Sequence, residues 1–333
     1  MASKEKVQVD HSALSGAKPP EAKEIPKEGA GGFVASMEKV LEKAAAEVKA
    51  PVPAPAPAVQ APKGVMSRIK KGVDLGPPRI LLVGTEGIGK SKWAASAPSP
   101  IFISTEGGIE HIDCEKFTWP DPTSKGGIRD KANTYAEVVE CLKGLSSETH
   151  GYETVVIDSV DWLERMIWDN VCKRSGVSNI EKVEKGYGKG YTFALDEWRE
   201  VVDLLARCRN RGMAVILISH AKVQKFEDPE NPAYDQYVPR LHKYAQSLLS
   251  EWCDAVLFAS YKRAVRMVEG KSDDRPIGVP VGPNGGERVI RTVDSPAAKA
   301  KNRYELPPEI PLSWSHFAAG LEAFMSKNEK KGA

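Results

Sequence analysis

From residue 68 onward, short apolar runs alternate with longer amphipathic stretches. Short apolar runs bounded by turn residues are typical of strands buried on both faces of a sheet. The pattern predicts strands at 79–83, 101–105, 115–119, 154–158, 213–219, 254–260, 263–268 and 287–293. It predicts helices near 89–97, 134–147, 160–174, 192–211, 241–252 and 315–326. We therefore expect an α/β fold with a mostly parallel central sheet, helices on both faces, and antiparallel strands near the C-terminus, where no long helices intervene.

Residues 1–65 have a different composition, in which Lys and Glu alternate, apolar residues are few, and Pro recurs over 51–57. Such a sequence buries too little apolar surface to offset its ordering entropy, so we expect a disordered tail. Apolar residues at helical spacing predict a short helix at 33–49, which would dock on a protein partner or on the core; a transient, solvated helix is the alternative. The globular core would span 66–312, and a C-terminal helix with a basic tail 313–333.

The overall charge narrows the range of partners. The chain of 333 residues has a formal net charge of +2, so any binding of nucleic acid must come from local basic patches.

Apolar runs are too short for a membrane span and the N-terminus lacks a signal-peptide core, so we expect a cytoplasmic protein without membrane attachment. The scattered cysteines are expected to be reduced thiols; they are Cys114, Cys141, Cys172, Cys208 and Cys253.

The segment Gly84–Ser91 reads Gly-Thr-Glu-Gly-Ile-Gly-Lys-Ser and lies between a predicted strand and a predicted helix. This is the G-x4-G-K-S pattern of a phosphate-binding loop, in which backbone N–H groups and the helix N-terminus surround an anion. Lys90 would reach the β- and γ-phosphates of a nucleotide, and the Ser91 hydroxyl would ligate Mg²⁺. The candidate nucleotide-binding residues are Gly84, Thr85, Glu86, Gly87, Ile88, Gly89, Lys90, Ser91 and Lys92. Glu86 has no evident role in such a loop.

Polar residues lie at the C-terminal ends of three later predicted strands (101–105, 154–158 and 213–219), at the edge of the sheet where ligands bind in open α/β folds. Asp158 follows the run Thr154–Ile157, as in a Walker B strand, and is expected to hold Mg²⁺ through its water shell. Glu106 could activate the attacking water, or it could be a surface residue in a turn; Glu110 and Asp113 are the competing candidates for that role. His220 could contact the γ-phosphate or the water, or it could cap the turn after its strand.

The order of these motifs resembles that of RecA-type P-loop ATPases, above all small phage-encoded ones associated with single-strand annealing and recombination. In addition, Ala300–Tyr304 resembles the Lys-Asn-Arg-Phe-Gly motif of RadA-type recombination ATPases. This resemblance covers about 78–312 and implies a RecA-like core that binds ATP and Mg²⁺. It also implies a head-to-tail homo-oligomer, a ring or a filament, in which Lys301 and Arg303 reach the nucleotide of the neighbouring subunit. A further cation is plausible chemically, because added positive charge stabilises the transferring phosphoryl group.

Two predicted loops, 176–191 and 221–244, interleave cations with aromatic residues. Cations neutralise phosphates and rings stack on unpaired bases, so these loops are candidates for binding single-stranded DNA, although polar surface loops need no such ligand. The candidates are Lys185, Tyr187, Lys189, Tyr191, Lys222, Lys225, Phe226, Tyr237 and Arg240. Together with the resemblance, these features imply an oligomeric ATPase that binds single-stranded DNA in phage DNA recombination, annealing or repair. A DNA motor (helicase or packaging ATPase) and an annealing protein that uses ATP only as an assembly switch are the alternatives.

Overall fold

The computed structural model describes residues 65, 69, 71, 76–229, 232–268, 275–282 and 286–332. The predicted tail up to residue 64, with its helix at 33–49, lies outside these residues. The chain divides into two compact units, Met1–Lys71 and Gly72–Ala333, and the second unit contains all the helices and strands described below.

The second unit is built on a large mixed sheet. Its main path has the order β14-β12-β9-β1-β7-β6-β2-β3, with β13 pairing β9 and β8 pairing β7. From β9 to β3 all neighbouring strands are parallel. The strands are β1 (Arg79–Gly84), β2 (Pro100–Ser104), β3 (Glu115–Lys116), β4 (Trp119–Asp121), β5 (Gly127–Arg129), β6 (Thr154–Asp158), β7 (Ala214–Phe226), β8 (Tyr234–Pro239), β9 (Ala255–Tyr261), β10 (Arg263–Val268), β11 (Arg275–Pro280), β12 (Arg288–Arg291), β13 (Lys301–Asn302) and β14 (Glu309–Pro311).

Helices cover both faces of the parallel sheet. They are α1 (Lys90–Ala94), α2 (Tyr135–Ser147), α3 (Val160–Ser175), α4 (Lys189–Asn210), α5 (Lys243–Trp252) and α6 (Trp314–Gly332). Side chains of a strand alternate between faces, and in β1 the residues Ile80 and Leu82 pack with Trp93 of α1 and Phe317 of α6. Their neighbours in β1 pack on the opposite face, against α2 to α5. The predicted fold class is confirmed: a mostly parallel sheet with helices on both faces and antiparallel strands towards the C-terminus.

The ends of the helices follow from local sequence. At the start of α2 the Thr134 side chain accepts a hydrogen bond from the backbone N–H of Glu137, as an N-cap does. Helix α3 ends at Ser175; the next residue, Gly176, has a left-handed φ of 65° and its backbone N–H donates to the carbonyl oxygens of Cys172 and Lys173. Helix α1 ends at Ala94, earlier than the predicted residue 97, shortly before Pro98 and Pro100. Helix α6 continues past the predicted end into the basic tail.

Three predictions of local structure are wrong. The predicted strand 115–119 breaks into β3 and β4, and β4 leaves the main sheet to pair with β5 in a separate hairpin. The break falls at residues 117 and 118, between β3, which is the last strand on the main path of the sheet, and the hairpin of β4 and β5. The segment 221–244 is not a loop: β7 continues to Phe226 and pairs with β8 in an antiparallel hairpin. The predicted loop 176–191 contains a 3₁₀ helix at Ile180–Lys185 and the start of α4 at Lys189.

Candidate active site

The phosphate loop joins β1 to α1 at the C-terminal edge of the parallel strands. Gly84 lies opposite His220 of β7 in the strand register, so loop and histidine are neighbours. A Cβ atom on Gly84 would lie 2.7 Å from the Ala259 carbonyl oxygen of β9, which explains the need for glycine. Gly89 caps α1 with a left-handed φ of 106°.

Lys90, the first residue of α1, is buried, and its side chain reaches back to the start of the phosphate loop. Its Nζ donates hydrogen bonds to the carbonyl oxygens of Gly84, at 3.0 Å, and of Thr85, at 2.9 Å. Burial lowers the pKa of Lys90, while the nearby carboxylates of Asp158 and Glu106 oppose that shift. The ammonium group is therefore held inside the loop, in the position that a phosphate-binding lysine needs.

Ser91 and Asp158, the two candidate Mg²⁺ ligands, are brought together. Asp158 ends β6 and is almost completely buried; burial raises its pKa, and a hydrogen bond with Ser91 opposes the increase. Its Oδ1 atom has no hydrogen-bond partner among the described residues. A buried carboxylate oxygen without a partner, beside a hydroxyl and a phosphate loop, fits a hard divalent cation. These two side chains would hold Mg²⁺ directly or through its water shell.

Glu106 lies just beyond the end of β2, which neighbours β6 in the sheet. The Ser159 hydroxyl donates to Glu106 Oε2 at 3.0 Å, and His220 Nε2 lies 3.7 Å from Oε1. Burial raises the pKa of Glu106, and the interaction with His220 only partly offsets this increase. A partly desolvated carboxylate with a raised pKa is suited to accept a proton near neutral pH. By contrast, its sequence neighbour Glu110 is exposed and its Oε2 accepts a hydrogen bond from the backbone N–H of Gly108.

His220 is oriented by Asp161, in the first turn of α3. The backbone N–H of His220 donates to Asp161 Oδ1 at 3.0 Å, and its ring Nδ1 lies 3.2 Å from both carboxylate oxygens. Burial alone would raise the pKa of Asp161, but hydrogen bonds from His220 and Arg240 lower it below its usual range. The ionised carboxylate can only accept, so Nδ1 carries a proton and Nε2 faces Glu106.

Arg240 connects this group to the phosphate loop. Its Nε and Nη2 donate to Asp161 Oδ2 at 3.1 and 2.8 Å, and its Nη1 donates to Glu86 Oε1 at 3.2 Å. The backbone N–H of Arg240 also donates to the carbonyl oxygen of His220. Glu86 therefore has a partner, and a continuous set of contacts runs from the phosphate loop to Glu106.

A cavity of about 470 Å³ opens beside the phosphate loop. Arg288 of β12 borders it and donates through Nη1 to the carbonyl oxygen of Ile88 in the loop. The buried indole Nε1 atoms of Trp93 and Trp314, two residues that line the cavity, have no hydrogen-bond partner among the described residues. The cavity offers aromatic, cationic and hydroxyl groups next to the start of α1.

Lys301 and Arg303 lie at the opposite end of the parallel strands from the phosphate loop, near the start of β9. Lys301 pairs with Val256 near the start of β9, and its Nζ donates to three carbonyl oxygens at the end of α5 at 2.8–2.9 Å. Arg303 Nη1 contacts Asp254 Oδ1 at 3.3 Å. Within one chain, these cations are therefore remote from Lys90, and Lys301 stabilises the C-terminus of a helix.

The candidate DNA-binding residues fall into two groups. Tyr191 stacks on His242, with ring centroids 4.0 Å apart, and Tyr237 stacks on Phe258. Lys222 donates to the Leu241 carbonyl oxygen, and Arg240 contacts Asp161 and Glu86. The exposed candidates are Lys185, Tyr187, Lys189, Lys225 and Phe226. Of the two aromatic residues in this group, Tyr187 is the more exposed, at 98%.

A family model described as an AAA domain matches residues 76–304, which include the phosphate loop, Glu106, Asp158 and His220. The chain belongs to this AAA domain family. Membership of this P-loop ATPase family supports nucleotide binding and ATPase function. The chain is also 24% identical over 181 residues to the SPbeta prophage-derived uncharacterized protein YorG of Bacillus subtilis (strain 168). That match covers 54% of this chain and 50% of the relative, so the chain spans about half the length of the curated relative it matches.

Sequence reasoning missed Asp161, Ser159 and Thr105. Thr105 is buried; its Oγ1 donates to the Ser159 carbonyl oxygen at 2.6 Å and accepts from the Ser159 N–H at 2.8 Å, which fixes the end of β6. The signal for Asp161 was its position three residues after Asp158, at the start of a helix leaving the same sheet edge. Among the described residues, no helix is long and apolar enough to span a bilayer.

Proposed function

We propose that this chain hydrolyses ATP with Mg²⁺ at the edge formed by the phosphate loop, β2, β6 and β7. The observation that carries the proposal is the convergence of Lys90, the Ser91–Asp158 pair and the Glu106–His220 pair at this one edge. These groups supply a phosphate cradle, two oxygen ligands for a hard cation, and a desolvated base.

In the proposed reaction a water molecule attacks the γ-phosphorus of ATP and its proton passes to the Glu106 carboxylate. The bond from the γ-phosphorus to the bridging oxygen breaks, which releases ADP and inorganic phosphate. Lys90 stabilises negative charge on the phosphate oxygens, and bound Mg²⁺ supplies further neutralisation of that charge. Ser159 and His220 keep Glu106 oriented towards the water.

We place the nucleoside of ATP in the cavity beside the loop. This cavity is next to Gly89 and Lys92, and it offers aromatic surface from Trp93 and Trp314. Ligand sites are typically concave, with aromatic walls and a few polar groups that fix orientation. If the nucleoside occupies it, ATP changes the intrinsic tryptophan fluorescence more than inorganic tripolyphosphate does.

The proposed nucleic-acid partner is single-stranded DNA, in phage recombination, annealing or repair in the host cytoplasm. This part of the proposal is supported by the resemblance to RecA-type ATPases and by exposed Lys185, Tyr187, Lys189, Lys225 and Phe226. The similarity to a prophage-derived protein is consistent with a phage source. The predicted tail helix at 33–49 would contact a protein partner.

The test is the rate of phosphate release from ATP, with and without single-stranded DNA, for the wild type and Glu106→Gln. We expect DNA to stimulate the wild type, and the substitution to lower turnover by about 10²–10⁴-fold, the usual contribution of a general base. Equal rates for the two proteins would contradict the role of Glu106. Negligible turnover in the wild type, with DNA annealing intact, would favour the assembly switch, and unwinding coupled to turnover would favour a motor.

The second part of the proposal is assembly into head-to-tail oligomers in which Arg303 acts on the neighbour's nucleotide, together with Lys301 once its Nζ leaves the carbonyl oxygens at the end of α5. A Lys90→Ala chain mixed with an Arg303→Ala chain tests it, because some mixed interfaces would then contain one intact site. We expect partial recovery of ATP hydrolysis. Absence of recovery at every mixing ratio would contradict a shared site.

A further inference from the structure

Arg240 divides its guanidinium group between two very different carboxylates. The Nε and Nη2 edge is bound to Asp161, whose side chain is 1% exposed. The Nη1 atom instead points to Glu86 of the phosphate loop, whose side chain is 74% exposed. Exposed ion pairs contribute about 0–1 kcal/mol, whereas a buried carboxylate holds its partner firmly. One edge of Arg240 is thus fixed, and the other has a partner that is easily replaced.

The position of Glu86 makes this arrangement relevant to a bound nucleotide. Glu86 lies inside the loop whose carbonyl groups hold Lys90, and both Glu86 and Asp161 are close enough to oppose the lowering of the Lys90 pKa by burial. An arginine fork suits phosphate oxygens as well as carboxylates. A phosphate entering the loop would therefore compete with Glu86 for Nη1 while Asp161 keeps the guanidinium in place.

We propose that Arg240 is a cation supplied by the same chain to the terminal phosphate of the bound nucleoside triphosphate, and that Glu86 holds its Nη1 edge until the nucleotide enters. The proposal rests on the nucleotide site of the proposed function and is independent of the subunit contact proposed for Lys301 and Arg303. It gives the carboxylate in the phosphate loop a role. It also moves Arg240 from the candidate DNA-binding residues to the phosphate site.

Binding of ADP and of a non-hydrolysable ATP analogue, each with Mg²⁺, tests the proposal by calorimetry. In Arg240→Gln, which keeps a hydrogen-bond donor but no charge, we expect the Kd of the ATP analogue to rise about 10–100-fold, the usual effect of a hydrogen bond to a charged group. The Kd of ADP should change less than about threefold, since ADP lacks the terminal phosphate. Arg240→Lys should recover part of the affinity for the ATP analogue, because it restores the charge.

Two further variants sharpen the comparison. Glu86→Gln should lower the Kd of the ATP analogue by up to about fivefold, because a weakly held competitor for Nη1 is removed. Arg129→Gln breaks an ion pair with Glu137 at the start of α2 and serves as the control, with the affinities for both nucleotides unchanged.

The outcomes separate this proposal from the proposed function. A loss of affinity in Arg240→Gln that is equal for ADP and the ATP analogue would overturn the proposal, since it would indicate a general distortion of the loop. A wild type that binds both nucleotides equally tightly would also overturn it. If the wild type prefers the ATP analogue through Arg240 yet releases no phosphate from ATP, ATP hydrolysis fails as a function and the role of Arg240 stands.

Discussion

Glu164 gives the chain a pH-dependent stability whose size can be worked out. This α3 side chain is 4% exposed, and its oxygens accept the backbone N–H of His242 at 3.1 and 2.9 Å. Burial raises the pKa of Glu164 from 4.5 to about 7, although the hydrogen bond from His242 and the charge of Lys222 oppose the change. Glu164 thus fixes the turn between Arg240 and α5, and the free energy lost by burying its side chain is larger when the carboxyl group is ionised.

The sign follows from comparing the folded and unfolded chains. Below pH 4.5 Glu164 is protonated in both states, so it carries no penalty. As the pH rises towards about 7, the unfolded chain releases this proton before the folded chain does, and the free energy of unfolding falls. A difference of about 2.5 pKa units at 1.36 kcal/mol per unit gives a loss of about 3 kcal/mol above pH 7.

Glu164→Gln removes the charge and keeps an oxygen that can accept the His242 N–H. We expect the variant to be more stable than the wild type by about 3 kcal/mol at pH 8, and by less than about 1 kcal/mol near pH 5. Urea unfolding at both pH values, followed by tryptophan fluorescence, measures the difference. The exposed Glu140→Gln in α2 is the control, with the same small effect at both pH values. A Glu164→Gln effect that does not change between pH 5 and pH 8 would refute the reasoning.

Three other predictions follow from the site and its surroundings. Because burial raises the pKa of Glu106, kcat should begin to fall on the acidic side of the pH–rate profile at a higher pH than for an ordinary carboxylate. Ser159→Ala removes a hydrogen bond that lowers this pKa, so the acidic limb of its pH–rate profile should lie at a still higher pH. Ser91→Ala should raise the Mg²⁺ concentration needed for half-maximal turnover by about tenfold or more, measured by Mg²⁺ titration of the ATPase rate. Lys301→Met leaves three carbonyl groups without their donor, so it should cost about 1–3 kcal/mol, or about 2–4 °C in Tm per kcal/mol; an unchanged Tm would contradict the capping role.

The parallel core could be predicted from the sequence because its strands are continuous apolar runs. The run Thr154–Ile157 and the run before His220 are buried on both faces, and their short length and β-branched residues favour strands over buried helices. The positions of Glu106, Asp158 and His220 then follow, because the carboxyl ends of parallel strands meet at one edge.

Strand β8, the position of Arg240 and the partners of Lys301 depend on long-range contacts that the sequence pattern does not reveal. Strand β8 reads Tyr-Asp-Gln-Tyr-Val-Pro, so its alternation is too polar to distinguish from a loop until it pairs with β7. For the same reason Arg240 could be grouped with surface cations, although the hairpin returns it to Asp161. Lys301 matched a motif, but its three carbonyl partners come from the end of α5, about fifty residues earlier.

The central claim is that Lys90, Ser91, Asp158 and Glu106 form one site that hydrolyses ATP. Its most direct test is phosphate release from ATP with Mg²⁺ by the wild type, Lys90→Ala and Lys143→Ala, the last an exposed lysine on α2. We predict turnover by the wild type and Lys143→Ala, and loss of turnover in Lys90→Ala. Equal turnover by Lys90→Ala and the wild type would contradict the claim.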